Sequence, residues 1–117
     1  MTHKGFFLAT YFALSLGSLP ALAAAEKGLP MERIEKGCHA TIVGEYKPAK
    51  VKATCACVRA NYEAKDLKAE ELELMVRSYE EDAGAEEELQ DDKWNTLILF
   101  DHDVTEGCLE KSSYRFP

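Results

Sequence analysis

Apolar side chains fall on Met31, Ile34, Cys38 and Ile42 at helical spacing, which predicts a first helix from Met31 to near Gly44. The stretch GEYKPAK follows, and its Gly44 and Pro48 predict a turn. A second period runs from about Val51 to Glu63, with Val51, Cys55, Val58 and Tyr62 on one face. Two residues on a helix are separated by about 200° of rotation, so Cys57 falls with Ala53, Ala60 and Ala64 on a small-residue face. AEELELMVRSYEE predicts a third helix, with a stripe of Leu72, Met75, Val76 and Tyr79 and with Asp66 as its N-cap. A fourth is predicted from about Glu86 to Lys111, aligning Leu97, Phe100, Val104 and Cys108 with Trp94 and Ile98 alongside. Acidic residues at its start suit a helix N-terminus. No repeat and no convincing strand interrupts the pattern. The expected fold class is all-α: a small four-helix, disulfide-stapled domain, two helices long and two short.

The N-terminal stretch differs in kind. Lys4 precedes an apolar run from Phe6 to Leu16, followed by Gly17, Pro20 and Ala21-Leu22-Ala23. That is the pattern of a secretory signal peptide spanning residues 1–23. The run is too short for a spanning helix of ~20 residues. Cleavage after Ala23 would leave a single domain over residues 24–117, with 24–30 as a flexible leader and 112–117 as a frayed tail. The site Ala23-Ala24-Ala25 would instead give Glu26 as the first residue. The expected compartment is the periplasm, or secretion, with no membrane insertion once the signal is removed.

Losing Lys4 leaves 13 Lys and Arg against 21 Asp and Glu, a net charge of −8. A nucleic-acid partner would need a basic stripe to meet phosphates, and an anionic membrane surface the same. Neither partner is expected. Eight of the thirteen residues from Glu80 to Asp92 are acidic. Such a run reads as a solvated helix face or as a docking surface for a basic protein, with Glu86, Glu87 and Glu88 as its centre. Trp94, just beyond it, is either a packing residue or the apolar anchor of that surface.

All four cysteines, Cys38, Cys55, Cys57 and Cys108, lie beyond the signal. An even count in a small exported chain implies disulfides. Cys55 and Cys57 point apart on a helix, so a bond between them, which would pair Cys38 with Cys108, is the least favoured arrangement. Cys55 and Cys108 each sit on a bulky stripe, which favours Cys38 with Cys57 and Cys55 with Cys108. Exchanging the partners of Cys55 and Cys57 stays open. Either way the doublet staples the second helix to the first and the last.

The competing chemistry is a metal or thiol-redox site built from those cysteines with His39 and His102. No zinc spacing, Met cluster or Cys-x-x-Cys-His stands behind it, and no Cys-x-x-Cys redox motif. Asp101, Asp103 and Thr105 imitate the start of a calcium loop, but position six is Glu106 and position twelve Ser112. Those acids read as solvated. No Gly-x-Ser-x-Gly and no phosphate loop occurs, so neither an enzyme nor a cofactor is expected.

With Cys38 on one helix, CACV opening the next, AEELELMV and then FDHDVTEGCL, the stretch from about Met31 to Leu109 resembles small exported all-helical proteobacterial proteins. These share the order Cys, Cys-x-Cys, Cys. The resemblance implies export and helices but no settled activity. In size and compartment the chain is also similar to the acid-stress periplasmic chaperones related to HdeA, which carry one disulfide where this chain has four cysteines. The function expected is therefore that of a non-enzymatic protein-binding module in an inhibitory, immunity-like, chaperone-like or envelope-accessory role.

Overall fold

A computed structural model describes residues 28–115, and the expected signal peptide, its cleavage site and Phe116 lie outside them. The described chain is helical, and its one β-type contact is the bridge between Val43 and Tyr46 that closes a turn. Helix α1 covers residues 28–42. It is followed by α2 (Pro48–Ala64), α3 (Ala69–Tyr79), α4 (Ala83–Glu88), a 3-10 turn (Asp92–Trp94) and α5 (Asn95–Arg115). No helix among the described residues is long and apolar enough to cross a membrane.

Several boundaries depart from the sequence reading, each for a local reason. Residues 28–30, expected as leader, are already helical, since proline is tolerated in a first turn where its missing N–H has no helical partner. Pro48 starts α2 for the same reason instead of ending a loop. Asp66 does not cap α3. The Lys68 N–H is held by the Glu71 carboxylate at 2.8 Å, the half of a capping box that a glutamate three residues into a helix provides. At the other end, α5 runs through the expected tail to Arg115, with Tyr114 exposed rather than folded back.

The largest correction is the expected fourth helix, which is three pieces. Asp82 accepts from the Gly84 N–H at 2.9 Å and starts α4, while Asp91 accepts from the Lys93 N–H at 3.1 Å and starts the 3-10 turn. The acidic run therefore supplies two caps rather than one dipole-stabilised helix start. Upstream, α3 ends in a Schellman arrangement: Asp82 N–H donates to Arg77 O and Glu81 N–H to Ser78 O, both at 3.0 Å. The left-handed position of that motif usually belongs to glycine, but here Glu81 holds it at φ 61°.

Packing divides α2 into two faces about a quarter-turn apart. Val51, Cys55, Val58 and Tyr62 are buried in the core with Met31, Ile34 and Cys38 of α1. Antiparallel pairing of α1 and α2 is marked by Cys38 with Cys55 and by a Glu35–Arg59 ion pair at 3.1 Å. The second face, Lys50, Thr54, Cys57 and Asn61, meets α5. Lys50 donates to Ser113 at 2.7 Å, Thr54 meets Ser112 at 2.8 Å, and Asn61 Nδ2 lies 3.6 Å from both sulfurs of Cys57 and Cys108. Ser112 donates to Leu109 O, so the Thr54 hydroxyl is the donor across the interface. That closes the hydrogen bonds of two buried hydroxyls that would otherwise each be costly.

Candidate functional site

The two disulfides are Cys38–Cys55 and Cys57–Cys108, with Cα separations of 5.6 and 5.7 Å. This is the exchanged pairing, and it corrects the favoured one of Cys38 with Cys57 and Cys55 with Cys108. Sharing a bulky stripe does not make Cys55 and Cys108 neighbours. Cys55 faces α1 along the apolar stripe of α2, whereas α5 lies on the polar and small seam that carries Cys57. All four sulfurs are engaged and no cysteine is free. His102 is exposed on α5 and pairs with Glu106 at 3.3 Å, and His39 lies on α1 beside Glu35 and Arg59. Among the described residues no three His, Cys, Asp or Glu side chains stand close enough to hold a metal ion.

Of the residues expected to bind a partner, Glu86, Glu87 and Glu88 are exposed on α4. Glu88 approaches Arg77 at 3.8 Å, and Arg77 also holds Asp82 at 3.0 Å. That hydrogen bond, followed by the one from the Gly84 N–H, keeps the Asp82 carboxyl below the usual carboxylate range. Glu80 is held low in the same way by a paired hydrogen bond from Arg33 of α1. The acidic segment is thus tied at both ends of the α3–α4 connection while its middle faces solvent. Trp94 is not part of that surface. It is 7% exposed, packed in the core, with Lys93 Nζ 5.1 Å from the ring centre, and its Nε1 has no hydrogen-bond partner among the described residues.

A cluster absent from the sequence reading lies where α2, α3 and α5 meet. Asp101 Oδ1 accepts from the Tyr62 hydroxyl at 2.5 Å and from the Tyr79 hydroxyl at 2.6 Å. Tyr62 is fully buried and packs edge-on against both Tyr79 and Phe100, with centroids 6.1 and 5.1 Å away. Burial, and then the Asp101 charge, push both phenols far above the ordinary tyrosine range, so both remain donors. Asp101 is half-buried rather than solvated. Period alone marks Tyr62 and Tyr79 as apolar stripe positions; only their shared acceptor reveals the polar tips.

Asp101 and Tyr79 also line an open groove of about 380 Å³ between α1, α3 and α5. Ile42, Thr105, Glu81 and Glu86 contribute to the same wall. Helix α1 also approaches the end of α3 closely, because Gly37 abuts the Tyr79 backbone with no room for a Cβ. Comparison of the chain with protein-family models, with curated proteins and with solved structures finds no match in any of the three.

Proposed function

We propose that the chain is exported by its N-terminal signal, cleaved after Ala23, and acts in the periplasm as a non-enzymatic module that binds another protein, a basic one. The observation that carries this reading is the displayed acidic segment. Glu81 faces solvent from the α3–α4 connection, whose ends are tied by Arg33–Glu80 and Arg77–Asp82, and Glu86 and Glu87 face solvent from α4, which Asp82 caps. A surface ordered before association loses less conformational freedom on binding. The cysteines support the same reading, since both pairs are closed and hold α2 to α1 and α5 as staples. Inhibition, immunity, chaperoning and envelope assembly would all use such a surface. The resemblance to small exported helical proteins of proteobacteria fits this compartment.

The test is a pull-down from envelope extract with wild type and with Glu86, Glu87 and Glu88 all changed to Gln. Wild type should retain a basic protein, with retention falling as salt rises through the range where the Debye length shortens below about 8 Å. The triple variant should lose it. Equal recovery by both proteins at all salt concentrations removes the acidic segment from the function.

A further inference from the structure

We propose that the groove between α1, α3 and α5 is the seat for a single arginine side chain of the basic partner, with Asp101 as the guanidinium acceptor. This rests on the protein-binding reading above and assigns the recognition point within it. The groove joins two features that a long cationic side chain needs. Ile42 and the Tyr79 ring offer apolar surface to an alkyl stem, and the carboxylates of Glu81, Glu86 and Asp101 line the same volume. No lysine or arginine lines it. Two nearby cations are committed elsewhere, Arg33 to Glu80 and Arg77 to Asp82, and Lys36 lines an adjoining cavity with Tyr79 and Glu81 rather than this groove. Among the described residues, Glu81, Glu86 and Asp101 have no ion-pair partner of their own.

Asp101 is the acceptor because its orientation is fixed from below. Two phenols from different helices hold Oδ1, so the carboxylate cannot turn into solvent without losing both hydrogen bonds. Both phenols are taken up by Oδ1, which leaves Oδ2 of the same carboxylate to meet an incoming N–H. Glu81 and Glu86 come from the end of α3 and from α4, so the charge converges on the groove from three elements. A planar guanidinium can meet more than one of these carboxylates at once, whereas an ammonium is a point charge with a tighter hydration shell.

The probe is acetyl-Gly-Arg-Gly-amide titrated into the oxidised full-length mature protein, followed by amide chemical shifts, with the Lys and Glu tripeptides as comparators. Shifts should centre on Ile42, Tyr79, Glu81 and Thr105, be largest for the arginine peptide and be absent for the glutamate one. Asp101→Asn keeps an acceptor for both tyrosines and should weaken binding about tenfold, the scale expected for losing one charge-assisted hydrogen bond. Thr105→Arg, which places a cation in the groove from its own wall, should abolish the shifts. Glu110→Gln, an exposed acid of α5 outside the groove, should bind as wild type does. Shifts scattered over all acidic residues, equal response to arginine and glutamate peptides, no response at all, or unchanged binding by Asp101→Asn and Thr105→Arg each overturn the assignment. In the pull-down, salt-sensitive partner capture that survives Thr105→Arg likewise overturns the groove and leaves the protein-binding reading intact. Arginine-peptide binding in the groove with no protein captured does the reverse.

Discussion

Replacing Gly37 by alanine inserts a methyl group where α1 touches the end of α3. An ideal Cβ there would lie 2.5 Å from the Tyr79 carbonyl oxygen, 2.7 Å from its Cβ and 2.9 Å from its carbonyl carbon. Reaching ordinary contact requires a retreat of about 1 Å. The neighbouring residue resists that movement, because Cys38 is bonded to Cys55 and holds α1 against α2. Movement of Tyr79 would in turn strain its hydrogen bond to Asp101. Overpacking of this kind costs roughly 1–3 kcal/mol, against which alanine regains about 1 kcal/mol of helix propensity. Gly107 supplies the internal control, since it is helical with nothing within 4 Å of its added Cβ. Gly107→Ala should therefore stabilise by up to about 1 kcal/mol, and Gly37→Ala should destabilise or at best break even. With a urea slope of about 1–1.5 kcal/mol/M for a domain this size, the two midpoints should differ by about 1–2 M. Urea unfolding of both oxidised variants followed by circular dichroism measures this. Equal shifts in the same direction would refute the close approach of α1 to Tyr79.

Non-reducing peptide mapping should recover Cys38 with Cys55 and Cys57 with Cys108. Opening the loops of 17 and 51 residues by paired Ser substitution should cost about 3 and about 4 kcal/mol in the chain-entropy account, so the second pair should matter more. In an alkaline absorbance titration, Tyr62 and Tyr79 should resist ionisation well beyond the ordinary tyrosine range. The unfolded chain loses those protons first, so stability should fall as pH rises above about 10, and a midpoint flat from pH 9 to 11 would count against the buried cluster. Glu81→Gly should raise the unfolding free energy by roughly 0.5–1 kcal/mol, because relief of the left-handed strain exceeds the entropy that glycine adds to the unfolded chain. The same change should weaken the arginine peptide, and a loss of stability instead would mean that Glu81 is not held at positive φ.

The helical class and most of the core were legible because burial here follows period. Met31, Ile34, Val51, Cys55, Val58, Met75, Val76, Leu97 and Val104 all lie on predicted stripes and are buried. The break between Glu88 and Asn95 was hidden because Leu89, Trp94 and Leu97 stay buried across it, so the apolar pattern gives no sign that the backbone changes course. The caps at Asp82 and Asp91 were masked by the acids around them. Disulfide partners were set by a seam of Lys50, Thr54, Cys57 and Asn61, which has helical spacing but no apolar character for a hydrophobic count to detect. Asp101 joins tyrosines 39 and 22 residues away, and such a contact has no local signature. The displayed acids were plain from composition, whereas the burial of Trp94 depended on which way the chain turned after Asp91.

The exchanged disulfide pairing has a consequence for survival among proteases. One covalent loop runs from Cys38 to Cys55 and the next from Cys57 to Cys108, so the two rings lie end to end and share no segment. Any single backbone cut inside either ring leaves both fragments attached through its disulfide. The exposed turn at Val43 to Tyr46 and the acidic connection around α4, the places where a protease would find accessible chain, each fall within a ring. Only the bonds flanking Ala56 escape this protection between Cys38 and Cys108, and those lie in the middle of α2 where the backbone is helical. A nicked molecule would keep its helices together, and with them the acidic surface.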